Sequence, residues 1–471
     1  MSATATTEKK YLKWYQKLAY GSGDLASNCS YGLVSSFVLL YLTGTLGLDS
    51  AIIGSLMLAS KVLDGISDVI FGTLIDRTHS KLGKARPWML YGQVGVSLCL
   101  FLLFAIPAGS TTMQYIYFFI VYTALNAVFY TANGIAYSSL VALITKNNNE
   151  RVQLGSFRFM FAVVTNIFMG FAVTGMVEKF GSGAAGWRTT ALIFAIVGLV
   201  VNTISCLAVK ELPEEELSGN TSEAAEEGKA VAEEKKHGFA ETAKILVHNK
   251  YYLMILAIYI VYYIMSNLTT GAGVFCATYY WGDGSLLGQF SMMKMFPVII
   301  ALAIAPVLIK KTGSMQKVNF WGYAISSVLG IPMIYFAMQK NISMFLLFMF
   351  IKGIFAGTLS GSLNALIAEA SGYTTRTTGV HMDGMMYSCS SLGVKVGGGI
   401  GTAAVGWLLK LGGFVGTATV QSESAIRMIF NLYITFPFIL GIVITVLLAF
   451  LDVEKANKKW DADHAQKEAQ I

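Results

Sequence analysis

The sequence predicts an all-α polytopic membrane protein of twelve transmembrane helices, and three observations predict it. Of its 471 residues, 55% are hydrophobic and only 13% charged, against roughly 25% charged in a soluble domain, and the mean hydropathy is +0.59. Apolar runs of about 20 residues, the length that crosses a bilayer, recur twelve times, beginning near Leu18, Ser50, Trp88, Met113, Gly155, Trp187, Tyr251, Leu287, Val318, Met344, Gly384 and Met428. None shows the alternation of a barrel strand. Of the 34 Lys and Arg residues, 24 fall on the side that holds both termini, five on the other side and five within spans. Positive charge gathers on the cytoplasmic side, so both ends are expected in the cytoplasm of a cell-membrane protein. The net charge of +7 is then a lipid-surface signature, and no nucleic-acid partner is called for.

This places an N-terminal tail at 1–17, a first helical bundle at 18–209, a linker at 210–250, a second bundle at 251–451 and a C-terminal tail at 452–471. The tail to Lys17 is polar and lysine-rich, without the apolar core of a cleavable signal peptide. The linker, with ten Glu and six Lys, reads as a solvated connection. The five cysteines stand singly in apolar spans, and the five histidines fall in predicted loops or tails. Neither set has metal-site spacing, and no cofactor is expected.

In the first helix, Asp24, Asn28, Tyr31 and Ser35 recur at i, i+4, i+7 and i+11 as a polar stripe. The second span carries Lys61, Asp64 and Asp68 in otherwise apolar sequence. At about 100° per residue the three share one face. Each such charge costs about 2.5–3.5 kcal/mol on insertion scales, so the stripe is expected to face protein or water. Two carboxylates one turn apart repel in a low dielectric unless a proton or a cation joins them, which is the requirement of an ion-coupling site. A bridge from Lys61 to one Asp would leave the other unexplained.

A basic loop follows, Asp76 to Pro87, with Gly83 at its turn. Its weaker counterpart, Lys310 to Lys317, comes after the eighth span and hints at a six-helix repeat. Helix four is expected to present Asn126, Tyr130, Asn133 and Tyr137 on one face, with Thr131 and Ser138 beside them, as sugar-sized hydrogen-bonding groups. Helix five carries Arg158 a few residues inside the membrane. In the second half Lys294 and Lys352 interrupt apolar spans; unpaired buried cations are costly, so some must snorkel, lose protons or await an anion, and these two are expected to do the first. Lys395 sits mid-span with Ser388 and Ser391 on its face, and Gly397 and Gly401 form a spacing for helix packing.

These residues carry a resemblance. Tyr20-Gly-Ser-Gly-Asp-Leu-Ala-Ser-Asn28, the Asp64-x-x-x-Asp68 pair, Gly83-Lys-Ala-Arg-Pro-Trp88, Arg158 and Lys395 are similar to the glycoside-pentoside-hexuronide:cation symporter family, the melibiose-carrier branch of the major facilitator superfamily. The resemblance covers all twelve spans. It implies two six-helix bundles, alternating access and cation-coupled symport of a glycoside, pentoside or hexuronide, without catalysis. It places the cation site, for Na⁺, Li⁺ or H⁺, on Asp64, Asp68 and Thr131, and a sugar site around Asp24, Asn28, Tyr130, Arg158, Ser391 and Lys395. The family's galactoside-recognising Lys-Asp pair is Ser27-Asn28 here, and its helix-four Asp and Trp are Gly134 and Ser138. The pattern is more similar to the glucuronide and pentoside carriers. An intramembrane hydrolase lacks its nucleophile and base, and a channel lacks filter loops. A drug:proton antiporter of the same fold would want an apolar, aromatic cavity.

Overall fold

The computed structural model describes residues 9–213, 245–379, 383–418 and 420–468. The first eight residues, most of the linker with His237, His381 and the last three residues lie outside them. The chain divides into two compact units, one of residues 1–227 with 415–420 and one of 228–414 with 421–471.

The first unit contains α1 (Trp14–Thr45), α2 (Ser50–Asp76), α3 (Arg86–Leu103), α4 (Thr111–Ile144), α5 (Asn148–Lys179) and α6 (Gly183–Leu207). The second contains α7 (Lys250–Tyr280), α8 (Leu286–Thr312), α9 (Met315–Met338), α10 (Ile342–Thr378), α11 (Met385–Leu411) and α12 (423–450), followed by α13 (Val453–Glu468). Ten of these are long and apolar enough to span a membrane by composition alone; the charged α2 and the short α3 complete the twelve. Short polar side chains start them: Asp49 accepts from the Ala51 and Ile52 amides, and Ser110, Asn147, Asn249, Ser314, Asn341 and Ser422 cap their helices alike. Each satisfies an amide that the first turn leaves without a partner. Gly313 and Gly379 end α8 and α10 at φ of +63° and +70°, a region that costs glycine nothing.

The two units repeat one pairing scheme. In the first, α1 packs on α5 and α6, α2 on α4, and α3 on α4 and α6; in the second, α7 packs on α11 and α12, α8 on α10, and α9 on α10 and α12. The repeat extends to single residues. Glu211, four residues past α6, accepts from the Lys84, Ala85 and Arg86 amides at the start of α3. Glu454, four residues past α12, accepts from the Gln316 amide and the Ser314 hydroxyl at the start of α9. A carboxylate at a helix N-terminus meets free amides and the positive end of the dipole. Gly83, at φ +109°, lies so close to the Glu211 carboxylate that no Cβ would fit. The linker, expected to be only a solvated connection, therefore begins with a structural residue.

Candidate functional site

The α2 stripe is drawn toward α4. Lys61 Nζ lies 3.4 Å from Asp64 Oδ2, with side-chain exposures of 21% and 14%. The Thr131 hydroxyl donates to Asp64 Oδ1 across 2.6 Å and lies 2.9 Å from the Asn126 carbonyl. Asp68 is half-buried one turn further along α2. Thr131 owes its position to a widened π turn, Ala124–Tyr130, immediately before it. Such turns hold an extra residue and recur at functional sites. Asp64 thus meets an ammonium on one oxygen and a hydroxyl on the other, with the Asn126 carbonyl beside that hydroxyl and the Asp68 carboxylate one turn along the helix. That donor set suits a hard monovalent cation or a proton, with Lys61 as the internal competitor for Asp64. Among the described residues no three His, Cys, Asp or Glu side chains group as a metal site.

The same π turn breaks the face expected on α4. Asn126 and Tyr130 lie within the turn, and Asn133 and Tyr137 follow it, so the α-helical period that predicts one face does not run through all four. Asn133 is buried and donates to Gln93 of α3 across 2.6 Å. Tyr137 donates to the Tyr20 carbonyl at 2.7 Å, and the Tyr20 hydroxyl returns a bond to the Tyr137 carbonyl. Asn126 bonds back to the Tyr122 carbonyl. These groups thus hold hydrogen bonds to the backbone or to neighbouring helices. Tyr130 is set apart from them and stacks on Tyr31 of α1, ring centroids 5.8 Å apart.

Arg158 does not stand as a lone cation. Its Nε donates to Asp24 Oδ2 at 2.6 Å, with side chains 25% and 17% exposed, and its guanidinium lies 4.2 Å from the centre of the Tyr137 ring. Asn28 accepts from Asn166 of α5 at 2.9 Å. Of the sugar-site residues placed in the first unit, Asp24 and Arg158 are thus brought together, while Asn28 is tied to a helix neighbour. Asn166 and Gln93 were not singled out from the sequence, although each is a lone amide in an apolar helix, a signal that could have found them.

In the second unit Lys395 lies inside another π turn, Gly393–Gly397. Ser391 is exposed, and Ser388 pairs with the Tyr252 hydroxyl at 3.1 Å. Gly397 and Gly401 meet the backbone of α7: a Cβ on either would stand 2.5 or 2.7 Å from the Ile260 or Ile264 carbonyl. The glycine spacing serves helix packing, as expected. Lys294 and Lys352 depart from expectation. They do not snorkel to a surface; both line a cavity of about 180 Å³ within this unit. The reason is depth, since they sit eight and ten residues into α8 and α10, roughly 12 and 15 Å along the axis.

The family of proteins described as MFS/sugar transport protein matches residues 19–455, almost all of this chain. The chain belongs to that family. It is therefore a multi-pass membrane transporter and not an enzyme. The isoprimeverose transporter of Lactiplantibacillus pentosus is 26% identical over 98% of this chain and 93% of its own. A putative 2,3-dihydroxypropane-1-sulfonate exporter of Escherichia coli (strain K12) is 27% identical over 93% and 92%. Among solved structures, an inward-facing, unoccupied bacterial homolog of the human lysosomal transporter Spinster covers 95% of this transporter and 98% of itself, with a TM-score of 0.64 at 14% identity. That likeness concerns the fold alone.

Proposed function

We propose that this transporter is a cation-coupled symporter of the cell membrane, both termini cytoplasmic, that carries a sugar acid or acidic glycoside with one monovalent cation. The observation that carries the coupling is the Asp64 cluster, in which Thr131 and Lys61 bind one carboxylate oxygen each and Asp68 lies one turn away. A cation joining Asp64 and Asp68 removes their repulsion and releases Lys61. Na⁺ is favoured over a proton because the Thr131 hydroxyl and Asn126 carbonyl add neutral oxygens that a proton does not need. The spans of the first unit hold Asp24, Asp64 and Asp68 against Lys61 and Arg158, so one positive charge balances them.

Substrate class follows from the remaining charges. Arg158 and Asp24 act as a pair that offers both signs to sugar hydroxyls, with Tyr130 and Asn28 beside them. Lys395, near Ser391, meets the acid group in a unit whose chain carries no carboxylate between Asp383 and Glu423. The sulfonate named for one relative is an anion as well. A neutral pentoside is the second reading, supported by the relative named for isoprimeverose. Membrane lipid is the only other partner required. Uptake into proteoliposomes under imposed Na⁺ or H⁺ gradients, with a glucuronide and its matched glucoside, tests both parts. Gradient-driven accumulation of the glucuronide alone is expected. Equal uptake of both sugars discards the acidic substrate, and uptake indifferent to both gradients discards symport.

A further inference from the structure

The cavity that holds Lys294 and Lys352 is built from α7, α8, α9, α10 and α12; no residue of α11, where Lys395 lies, lines it. Lys294 donates to the Thr270 hydroxyl at 3.1 Å. Among the described residues neither lysine has a carboxylate partner, and the chain contains no Asp or Glu between Asp283 and Glu369, the interval that includes both. The rest of the lining is mostly apolar, with Met265, Met293 and Phe438 among it, and carries hydroxyls at Tyr262 and Ser360, paired at 2.8 Å, and at Ser266 and Ser326. An ammonium withdrawn from water is costly without an anion beside it, and two in one pocket repel each other. A single small anion relieves both penalties. The volume of about 180 Å³ admits several waters, and with them a carboxylate, a sulfonate or a halide with its nearest atoms.

We infer that this cavity is an anion-binding site, in which Lys294 and Lys352 hold one small monoanion and the surrounding hydroxyls donate to it. The anion is the acid group of a transported molecule or a free ion, and the chemistry of the site is common to both. Binding needs no transport, so the inference stands or falls apart from the symport reading.

The test uses the full-length protein in nanodiscs, in a zwitterionic buffer of low ionic strength, titrated with choline chloride or choline 2-hydroxyethanesulfonate. Choline keeps the coupling cation out of the measurement. A saturable rise in melting temperature is expected with at least one of the two anions, with half-saturation at least tenfold weaker in Lys294→Met and Lys352→Met and retained in Lys352→Arg. Methionine keeps an unbranched side chain one atom shorter and removes the ammonium with its charge and its donors, and gel filtration of each variant confirms the fold. No saturable rise with either anion overturns the site, as does a half-saturation unchanged in both Met variants. The source is then read from uptake. A glucuronide half-saturation raised by Lys294→Met identifies the substrate's acid group. A half-saturation unchanged in that variant, together with loss of a chloride dependence of uptake seen in the unaltered protein, identifies a free ion.

Discussion

In the first unit each cation embedded in a span faces a carboxylate: Lys61 meets Asp64, and Arg158 meets Asp24. In the second, Lys294 meets the Thr270 hydroxyl and both Lys294 and Lys352 line a cavity, while the nearest carboxylates in sequence, Asp283 and Glu369, stand 11 and 17 residues from them. The helix pairing of the two units is the same, so the scaffold does not impose this difference. A repeat preserves what packing needs, such as the Glu211 and Glu454 caps, and leaves charge free to diverge. The first unit lacks one positive charge; the second has an excess. One half is suited to a cation and the other to an anion.

The comparison is broken most severely at Asp64 and Asp68. If the acidic excess of the first unit is the coupling site, Asp64→Asn or Asp68→Asn abolishes gradient-driven accumulation, by about a hundredfold or more at the upper end of coupling free energies, while exchange of substrate persists. Counterflow of labelled sugar measures the second, gradient-driven uptake the first. Unchanged accumulation in both variants removes the coupling assignment.

The Asp24–Arg158 pair comes next. Breaking a buried pair costs about 3–5 kcal/mol when one charge is stranded, and the partial exposure here puts the expected loss at or below about 3 kcal/mol. Asp24→Asn and Arg158→Gln should each lower thermal stability, and the double variant should recover most of it. If Arg158 instead served only to grip a substrate acid, Arg158→Gln would leave the stability of the empty protein unchanged.

Much of this was legible in the sequence, because charge in an apolar span is conspicuous and helical period is fixed. The α2 stripe, the twelve spans and the Gly397–Gly401 packing face follow from those two facts alone. The α4 face was not legible. A π turn adds a residue without a composition signal, and the bond from Asn133 to Gln93 of α3 is a tertiary contact. Snorkelling of Lys294 and Lys352 was expected from the length of the lysine side chain; the cavity that both line and the Thr270 hydroxyl that accepts from Lys294 are tertiary facts. The Glu211 cap was hidden in a charged linker where one glutamate looks like the next.

Thr131→Val sharpens the cation side of the comparison. It removes the 2.6 Å bond to Asp64, and a hydrogen bond to a charged group contributes about 1.5–3 kcal/mol. Half-saturation for Na⁺ should therefore weaken by about tenfold or somewhat more, with substrate binding at saturating cation less affected. Equal weakening of both would make the residue a packing element between α2 and α4.

The smallest effect is expected at Lys294, where its sign matters more than its size. Replacing a charge that lacks a carboxylate removes a desolvation penalty, so Lys294→Met in anion-free buffer should leave stability unchanged or raise it by about 1 kcal/mol. The same kind of substitution in the first unit, Lys61→Met, strands Asp64 beside Asp68 and should lower it. Paired melting curves of the two variants, in choline-containing buffer without Na⁺, read the comparison directly. Destabilisation of similar size in both would mean that Lys294 is held as firmly as Lys61, and the contrast between the two units would be lost. Opposite signs would show that the repeat distributes its ionic requirements unequally: one half completed by its own carboxylates, the other awaiting an anion from outside the chain.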